Sequence, residues 1–365
     1  MTLYPPRLQK ATKQGIMSVN DSETLGGSAM KVYTIRDIAK RAGVGISTVS
    51  RALNNRPDVG EETRQKVMEI VEQLGYAPNA NAKNLKQRAS GLSAIIVRGR
   101  RNGFLTGIAE QMTDYGWETG HQYLIEFIDE RGEELEAAYR LVAEKKLEGI
   151  FFLGSNVVDH KADVAQLGIP SVFVTVDAST IRSPGVSSVS VDNRACGRMA
   201  AEHLIASGHR KIAMMGGRDG AGDGIGLRFQ GALDALKAHG LTLDDGLHIA
   251  SPFGMEGAYR VALELLERRR DFTALFALSD VMAIGAMRAL RENGLTVPGD
   301  VSVIGFDGIE MARFFEPPLA TVEQPAEEIA RAGVELMLRL LEDPEDNEYR
   351  IVEGRLRAGG SVRAI

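Results

Sequence analysis

From Thr34 onward the apolar positions repeat at helical spacing. In TIRDIAKRAG, Ile35, Ile38, Ala39 and Ala42 fall at i, i+3, i+4 and i+7, and Thr34 with Asp37 makes a start like a capping box. The pattern predicts a short amphipathic helix that stops at Gly43. After Val44 and Gly45 a second helix is predicted, with Val49, Ala52 and Leu53 turned inward and Ser47, Thr48, Ser50 and Arg51 outward. A third, Glu61 to Leu74, sets Val67, Ile70, Val71 and Leu74 on one stripe and is closed by Gly75. A three-residue turn containing glycine between two such helices is the helix-turn-helix connection. From Leu92 the rhythm changes. Strand-like runs at 93–97, 123–127, 149–153, 171–174, 211–215, 273–278 and 301–306 alternate with amphipathic stretches, and 192–208 reads as a helix leading to a second set. That alternation implies an α/β body of doubly wound parallel sheets, with too many strands for one compact sheet and so two lobes facing across a cleft. Residues 1–29 mix Pro, Gly, Ser, Thr and Lys without periodicity, which predicts a disordered extension and leaves Met30 as an alternative start.

Charge separates the regions further. The net charge of −6 hides 11 Lys and Arg against 6 Asp and Glu in residues 31–90, and 29 against 41 in residues 91–365. A basic head on an acidic body suits a nucleic-acid partner for the head alone. With 44% hydrophobic content the 365 residues suffice for more than one core. No run of about 18 apolar residues and no secretory leader occurs, so a cytoplasmic protein with no membrane partner is expected. The single cysteine, Cys196, excludes a disulfide framework and a thiolate metal cluster, and is expected to be a small buried residue.

The outward face of the second helix carries short polar side chains and one arginine, with Ile46 at its beginning. Such residues meet base edges in the major groove, Arg pairing with guanine and an aliphatic group packing on a thymine methyl. Lys31, Arg36, Lys40 and Arg64 are candidates for phosphate contacts. The run from YTIRDIAKRAG through TVSRALN to LGYAPNANAKNL resembles the DNA-binding head of the LacI family almost residue for residue. The resemblance implies base reading by Ile46, Ser47 and Arg51, with Thr48, Ser50, Asn54, Asn79 and Asn84 also at the DNA. It also implies a hinge helix over 79–87, in which Leu85 wedges into the minor groove. Leucine burial against the body is the alternative for Leu85. Gly45 and Gly60 stand where the family usually has a capping Ser.

The resemblance continues through SVSVDNRACGRMAAEHLIASGHRKIAMMGG, RFQGAL, FALSDVMAIGAMRAL and VPGDVSVIGFDGIEMARFFEPPLATVEQP. It implies a periplasmic-binding-protein-like body behind an extension at 1–30 and a head with hinge at 31–90. The lobes expected are 91–205 with 326–349, and 206–325 with 350–365. It further implies a repressor controlled by a small-molecule effector, a homodimer and a pseudo-palindromic double-stranded operator. Asp192, Arg228, Ser279 and Asp307 match effector-contacting positions, with Phe253 and Phe104 as candidate apolar wall, the set a hydroxyl-rich sugar needs. Asp192 and Asp307 equally fit helix caps, Arg228 a surface position and Phe253 a core position.

In the first lobe VRGRRNGFL departs from the family's usual V-P-D and N-P-F-F, placing Arg98, Arg100 and Arg101 on a loop toward the cleft. Convergent guanidinium groups favour an effector carrying a carboxylate or phosphate; the alternative is that these arginines face solvent. GGRDGAGDGIG after a strand fits the dinucleotide spacing G-x-G-x-x-G poorly, and no catalytic triad, metal pair or nucleophile elbow appears. No enzymatic activity, catalytic residue, metal or cofactor is therefore expected. GRLRAGGSVRAI has no leucine heptad for a tetramer-forming tail, and Gly359 stands where the family often has Arg. The sequence leaves open which effector binds and whether it releases or strengthens DNA binding.

Overall fold

The computed structural model describes residues 35–53, 60–74, 91–100, 102–130, 132–156, 163–217 and 223–365. Contacts divide the chain into two units, residues 1–79 and 80–365. In the first unit the helices are α1 (Ile35–Ala42), α2 (Ile46–Leu53) and α3 (Glu61–Leu74). Their shared core holds Ile38, Ala39, Ala42, Val49, Ala52 and Val67, with Val44, Ile70 and Val71 packed against it. Gly43 ends α1 at φ +71°, a left-handed conformation that favours glycine, and its N–H donates back to Ala39. The carbonyl of Gly45 receives the N–H groups of Thr48 and Val49 at the start of α2.

The second unit holds two six-stranded sheets. Lobe 1 comprises β1 (Leu92–Arg98), β2 (Gln122–Ile128), β3 (Gly149–Leu153), β4 (Ser171–Val174), β5 (Val186–Val191) and β11 (Tyr349–Val352), ordered β11-β5-β4-β3-β1-β2. Lobe 2 comprises β6 (Ile212–Met215), β7 (His248–Ile249), β8 (Ala274–Ala277), β9 (Ser302–Asp307), β10 (Ala320–Glu323) and β12 (Arg355–Arg357), ordered β12-β10-β9-β8-β6-β7. Every recorded pairing is parallel except β10 with β12.

Helices α4 (Gly103–Glu118), α5 (Glu134–Glu144) and α11 (Ala326–Glu342) serve lobe 1. Lobe 2 has α6 (Asn193–Ala206), α7 (Gly224–Ala238), α8 (Met255–Arg268), α9 (Asp280–Glu292) and α10 (Glu310–Phe314). Buried on both faces, the central strands read as unbroken apolar runs, yet their side chains alternate. On β1, Ala94 and Ile96 enter one cluster while Ile95 and Val97 enter another that continues into lobe 2 through Met214, Phe276 and Ile304.

Two expected lobe boundaries are corrected. Residues 193–205, assigned to lobe 1 by a division at 205/206, lie in α6, which packs on α7, β9 and β10 and belongs to lobe 2. The strand Tyr349–Val352 pairs with β5, so lobe 1 extends past 349. The chain therefore crosses between lobes at Asp192, at Gln324–Pro325 and at Glu353–Gly354. The extension at 1–30, Lys31, Asn54, the hinge with Asn79, Asn84 and Leu85, and Arg101 lie outside the described residues.

Candidate functional site

A cleft of about 480 Å³ opens where the strands of both lobes end, the usual ligand position of open α/β sheets. Lobe 2 contributes Arg228, Asp307, Phe253 and Asp223, and lobe 1 contributes Arg98, Asn102, Phe104, Ser155, Asn156 and Thr175; Gln324 comes from a crossing. Arg228 is 7% exposed. Its Nε donates to Asn193 Oδ1 at 2.8 Å and its Nη1 to the Leu278 carbonyl at 2.9 Å, with Asp307 Oδ1 at 3.2 Å and the Phe306 ring centroid 3.7 Å from Cζ. Gln324 Nε2 donates to the same Asp307 oxygen at 2.8 Å. Burial works against the charge of Arg228, and Asp307 opposes that effect. Burial likewise pushes the Asp307 carboxyl up to about 6, against the pull of Arg228 and Gln324.

The glycines explain how Arg228 gets there. A Cβ on Gly197 of α6 would stand 2.1 Å from the Arg228 carbonyl oxygen, and one on Gly231 of α7 would stand 1.9 Å from the Arg194 carbonyl oxygen. Only with hydrogen at both positions do α6 and α7 come close enough for the guanidinium to reach Asn193.

Behind Asp307 lies a second buried acid, Asp280, whose Oδ2 accepts the N–H groups of Gly308 and Ile309 at 2.8 and 2.9 Å. Burial first, then the Asp307 charge, push Asp280 up to about 7. Asp307 itself adopts φ +114°, and Thr175, at the opposing strand end, φ +73°. These are the two described non-glycine residues with positive φ, and both line the cleft. Such conformations cost about 1–3 kcal/mol each and persist where the surroundings enforce them.

On the lobe 1 wall Arg98 is already engaged, its Nη1 donating to the Glu130 carbonyl and its Nη2 to Glu134 Oε1, both at 2.8 Å. Glu134 is fully buried and also accepts from Ser155 Oγ at 2.8 Å and from the Asn156 N–H at 3.1 Å. Arg100 points to solvent beside exposed Asp129, with 3.5 Å between them. Of the three arginines expected to converge on an anion, Arg98 lines the cleft but is held by Glu134, Arg100 faces solvent, and Arg101 lies outside the described residues. Among the described residues, Glu130, Glu133, Asp223 and Asp307 line the cleft against Arg98 and Arg228.

Of the eight effector positions expected from the sequence, Arg98, Phe104, Arg228, Phe253 and Asp307 come together on the cleft wall. Asp192 and Ser279 do not. Asp192 caps α6 through the Ala195 N–H, and Ser279, fully buried, caps α9 through the Met282 N–H. Sequence reasoning missed Asn102, Ser155, Asn156, Thr175 and Gln324. Of these, Asn102 carried a readable signal, standing before a helix whose Phe104 and Leu105 N–H groups it caps.

In the first unit Ile46, Ser47, Thr48, Ser50 and Arg51 all lie on α2; Arg51 is exposed, as is Lys40 on α1, and Arg64 of α3 is half-buried. Among the described residues no cluster of His, Cys, Asp or Glu is arranged to hold a metal ion, and no helix is long and apolar enough to cross a membrane.

Residues 34–79 match the family described as bacterial regulatory proteins, lacI family, and residues 201–362 match the periplasmic binding protein-like domain. The HTH-type transcriptional regulator MalR of Clostridium butyricum is 35% identical over 330 residues, which are 88% of this chain and 97% of that protein. The chain belongs to the LacI family. A solved complex of the transcriptional regulator CelR with cellobiose superposes with a TM-score of 0.67 at 30% identity, covering 90% of this chain and 99% of that one. A lac repressor dimer bound to operator and the anti-inducer ONPF gives 0.67 at 26% identity, covering 92% and 100%. As a LacI-family member the protein is an effector-controlled, DNA-binding transcriptional regulator and not an enzyme.

Proposed function

We propose that the protein is a cytoplasmic, homodimeric repressor of nucleoid DNA whose effector is an uncharged, hydroxyl-rich sugar held between the lobes. The observation that carries this reading is the buried Arg228–Asp307 pair at the strand ends, flanked by Phe104 and Phe253. A fixed carboxylate accepts hydroxyl protons, a fixed guanidinium donates to hydroxyl oxygens, and aromatic rings cover the apolar faces of a pyranose. Among the described residues, an anionic effector would meet four lining carboxylates and two guanidinium groups, each of these already paired with a buried acid. The cellobiose complex of CelR supports a sugar of this kind.

In the first unit Ile46, Ser47, Thr48, Ser50 and Arg51 on α2 read bases, joined by Asn54, Asn79, Asn84 and the minor-groove wedge Leu85. A two-fold dimer then reads a pseudo-palindromic operator. Calorimetry of the full chain against neutral mono- and disaccharides, sugar acids and sugar phosphates tests the effector. A neutral sugar should bind and shift operator affinity, and Arg228→Met should abolish both effects. Binding of acids or phosphates alone would overturn the reading.

A further inference from the structure

The groups that form the effector hook are not held only from within lobe 2. Each of the pair is hydrogen-bonded by side chain to a residue at a different lobe crossing. Arg228 Nε donates to Asn193 Oδ1, and Asn193 directly follows Asp192, the residue through which the chain passes from β5 into α6. Asn193 is itself 4% exposed, and its Nδ2 reaches back 3.4 Å to the carbonyl of Val191, the last residue of β5 in lobe 1. Asp307 is gripped twice by Gln324, the first residue of the crossing from β10 into α11. The Gln324 N–H donates to the Asp307 carbonyl at 3.1 Å and its Nε2 to Asp307 Oδ1 at 2.8 Å. Gln324 is 2% exposed and lines the cleft, while its Oε1 has no hydrogen-bond partner among the described residues. The third crossing, at Gly354, packs on the Cys196 thiol instead and touches neither hook residue in this way.

We infer that Asn193 and Gln324 are positioning residues that tie the effector hook to two lobe crossings, so that the state of Arg228 and Asp307 sets the angle between the lobes. The physical basis is a shared acceptor. Asp307 Oδ1 receives Gln324 and faces Arg228, so a ligand hydroxyl donated to that oxygen competes with the crossing for it. Likewise, any ligand that turns the Arg228 guanidinium lengthens or shortens its bond to Asn193. Since a buried donor or acceptor left unmatched is costly, each crossing follows its hook residue rather than abandoning it.

The inference rests on the reading above only in naming this pair the effector hook, and its test uses no effector. Spin labels are placed in the full chain through Glu118→Cys on lobe 1 and Lys237→Cys on lobe 2, both exposed positions. The buried Cys196 thiol, pushed up to about 11 by burial, is inert to the label. Labelled chains are diluted into unlabelled protein so that pulsed dipolar spectroscopy reads distances within one chain.

Asn193→Ala and Gln324→Ala should each shift or broaden the interlobe distance distribution. Asn193→Asp, which keeps the acceptor for Arg228, should retain the parent distribution. Asn193→Ala should add little to the shift already produced by Arg228→Met, because both break the same bond. Parent-like distributions in both alanine variants, or shifts of Asn193→Ala and Arg228→Met that simply add, would overturn the inference. Gln324→Ala leaves α6 and α7 untouched and so gives an independent reading if the Asn193 variants fail to fold.

Discussion

The residues that shape the cleft carry conformational and electrostatic cost. Thr175 and Asp307 sit at positive φ without being glycine, and Asp307 shares its interior with Asp280. Burial raises both carboxyls, Asp307 to about 6 and Asp280 to about 7, so between the ordinary aspartate range and these values the folded chain binds more protons than the unfolded one. Stability from this pair is then complete below about pH 4 and is lost as the pH rises toward 7. Asp280→Asn keeps an oxygen for the Gly308 and Ile309 N–H groups but removes the ionisation. Its melting temperature, compared with the parent's, should gain on it as pH rises from 5 to about 7 and hold that gain at pH 8. A constant difference across that range would contradict the assignment. The cleft residues legible from sequence were charged or aromatic side chains at motif positions, Arg228 and Asp307 foremost, with Arg98, Phe104 and Phe253. Ser155, Asn156 and Thr175 were not, because ordinary polar residues at strand ends gain their meaning only from the strand opposite. Asp192 and Ser279 show the converse, with cap chemistry that the sequence equally allowed.

Among the elements, α6 and α7 depend most on a missing side chain. Gly197→Ala would drive a methyl into the Arg228 carbonyl, so the helices must separate, at a cost of about 1–3 kcal/mol. A lowered denaturant midpoint together with weaker sugar binding is the expected result, since Arg228 moves with its helix. The strands 149–153 and 171–174 were legible to the residue because they are short, apolar and bounded by turn residues. The strand Val186–Val191 was hidden by its sequence VSSVSV. Its serines are buried, and Ser188 Oγ and Ser187 Oγ accept the N–H groups of Ala178 and Glu348, a compensation no local pattern announces. The strand Tyr349–Val352 was missed for a related reason: it lies at an edge, where Arg350 and an exposed Ile351 blur the alternation. That α6 belongs with lobe 2 was legible only from its partners, since a helix carries its amphipathic face without saying which sheet it covers. Gly359, unlike the family's usual Arg, follows from crowding, since a Cβ there would stand 2.5 Å from the Ala320 nitrogen and the Pro318 oxygen.

For the molecule as a whole, the separation of charge predicts two different responses to salt. Residues 31–90 carry 11 basic against 6 acidic side chains, so operator binding releases counterions from the DNA and weakens steeply as salt rises. Fluorescence anisotropy with an operator selected in vitro should show a loss of roughly thousand-fold between 50 and 200 mM salt. Sugar binding, at a buried and internally paired hook, should change little over the same range; similar slopes for both would reject the division of labour. The three crossings between the lobes also order events during synthesis. Lobe 1 lacks α11 and β11 until residues 326–352 have left the ribosome, by which time nearly all of lobe 2 has emerged. Its sheet therefore waits with one face covered by α4 alone and without its edge strand while its neighbour matures, and a message broken before codon 326 yields neither a sensor nor a finished half of one.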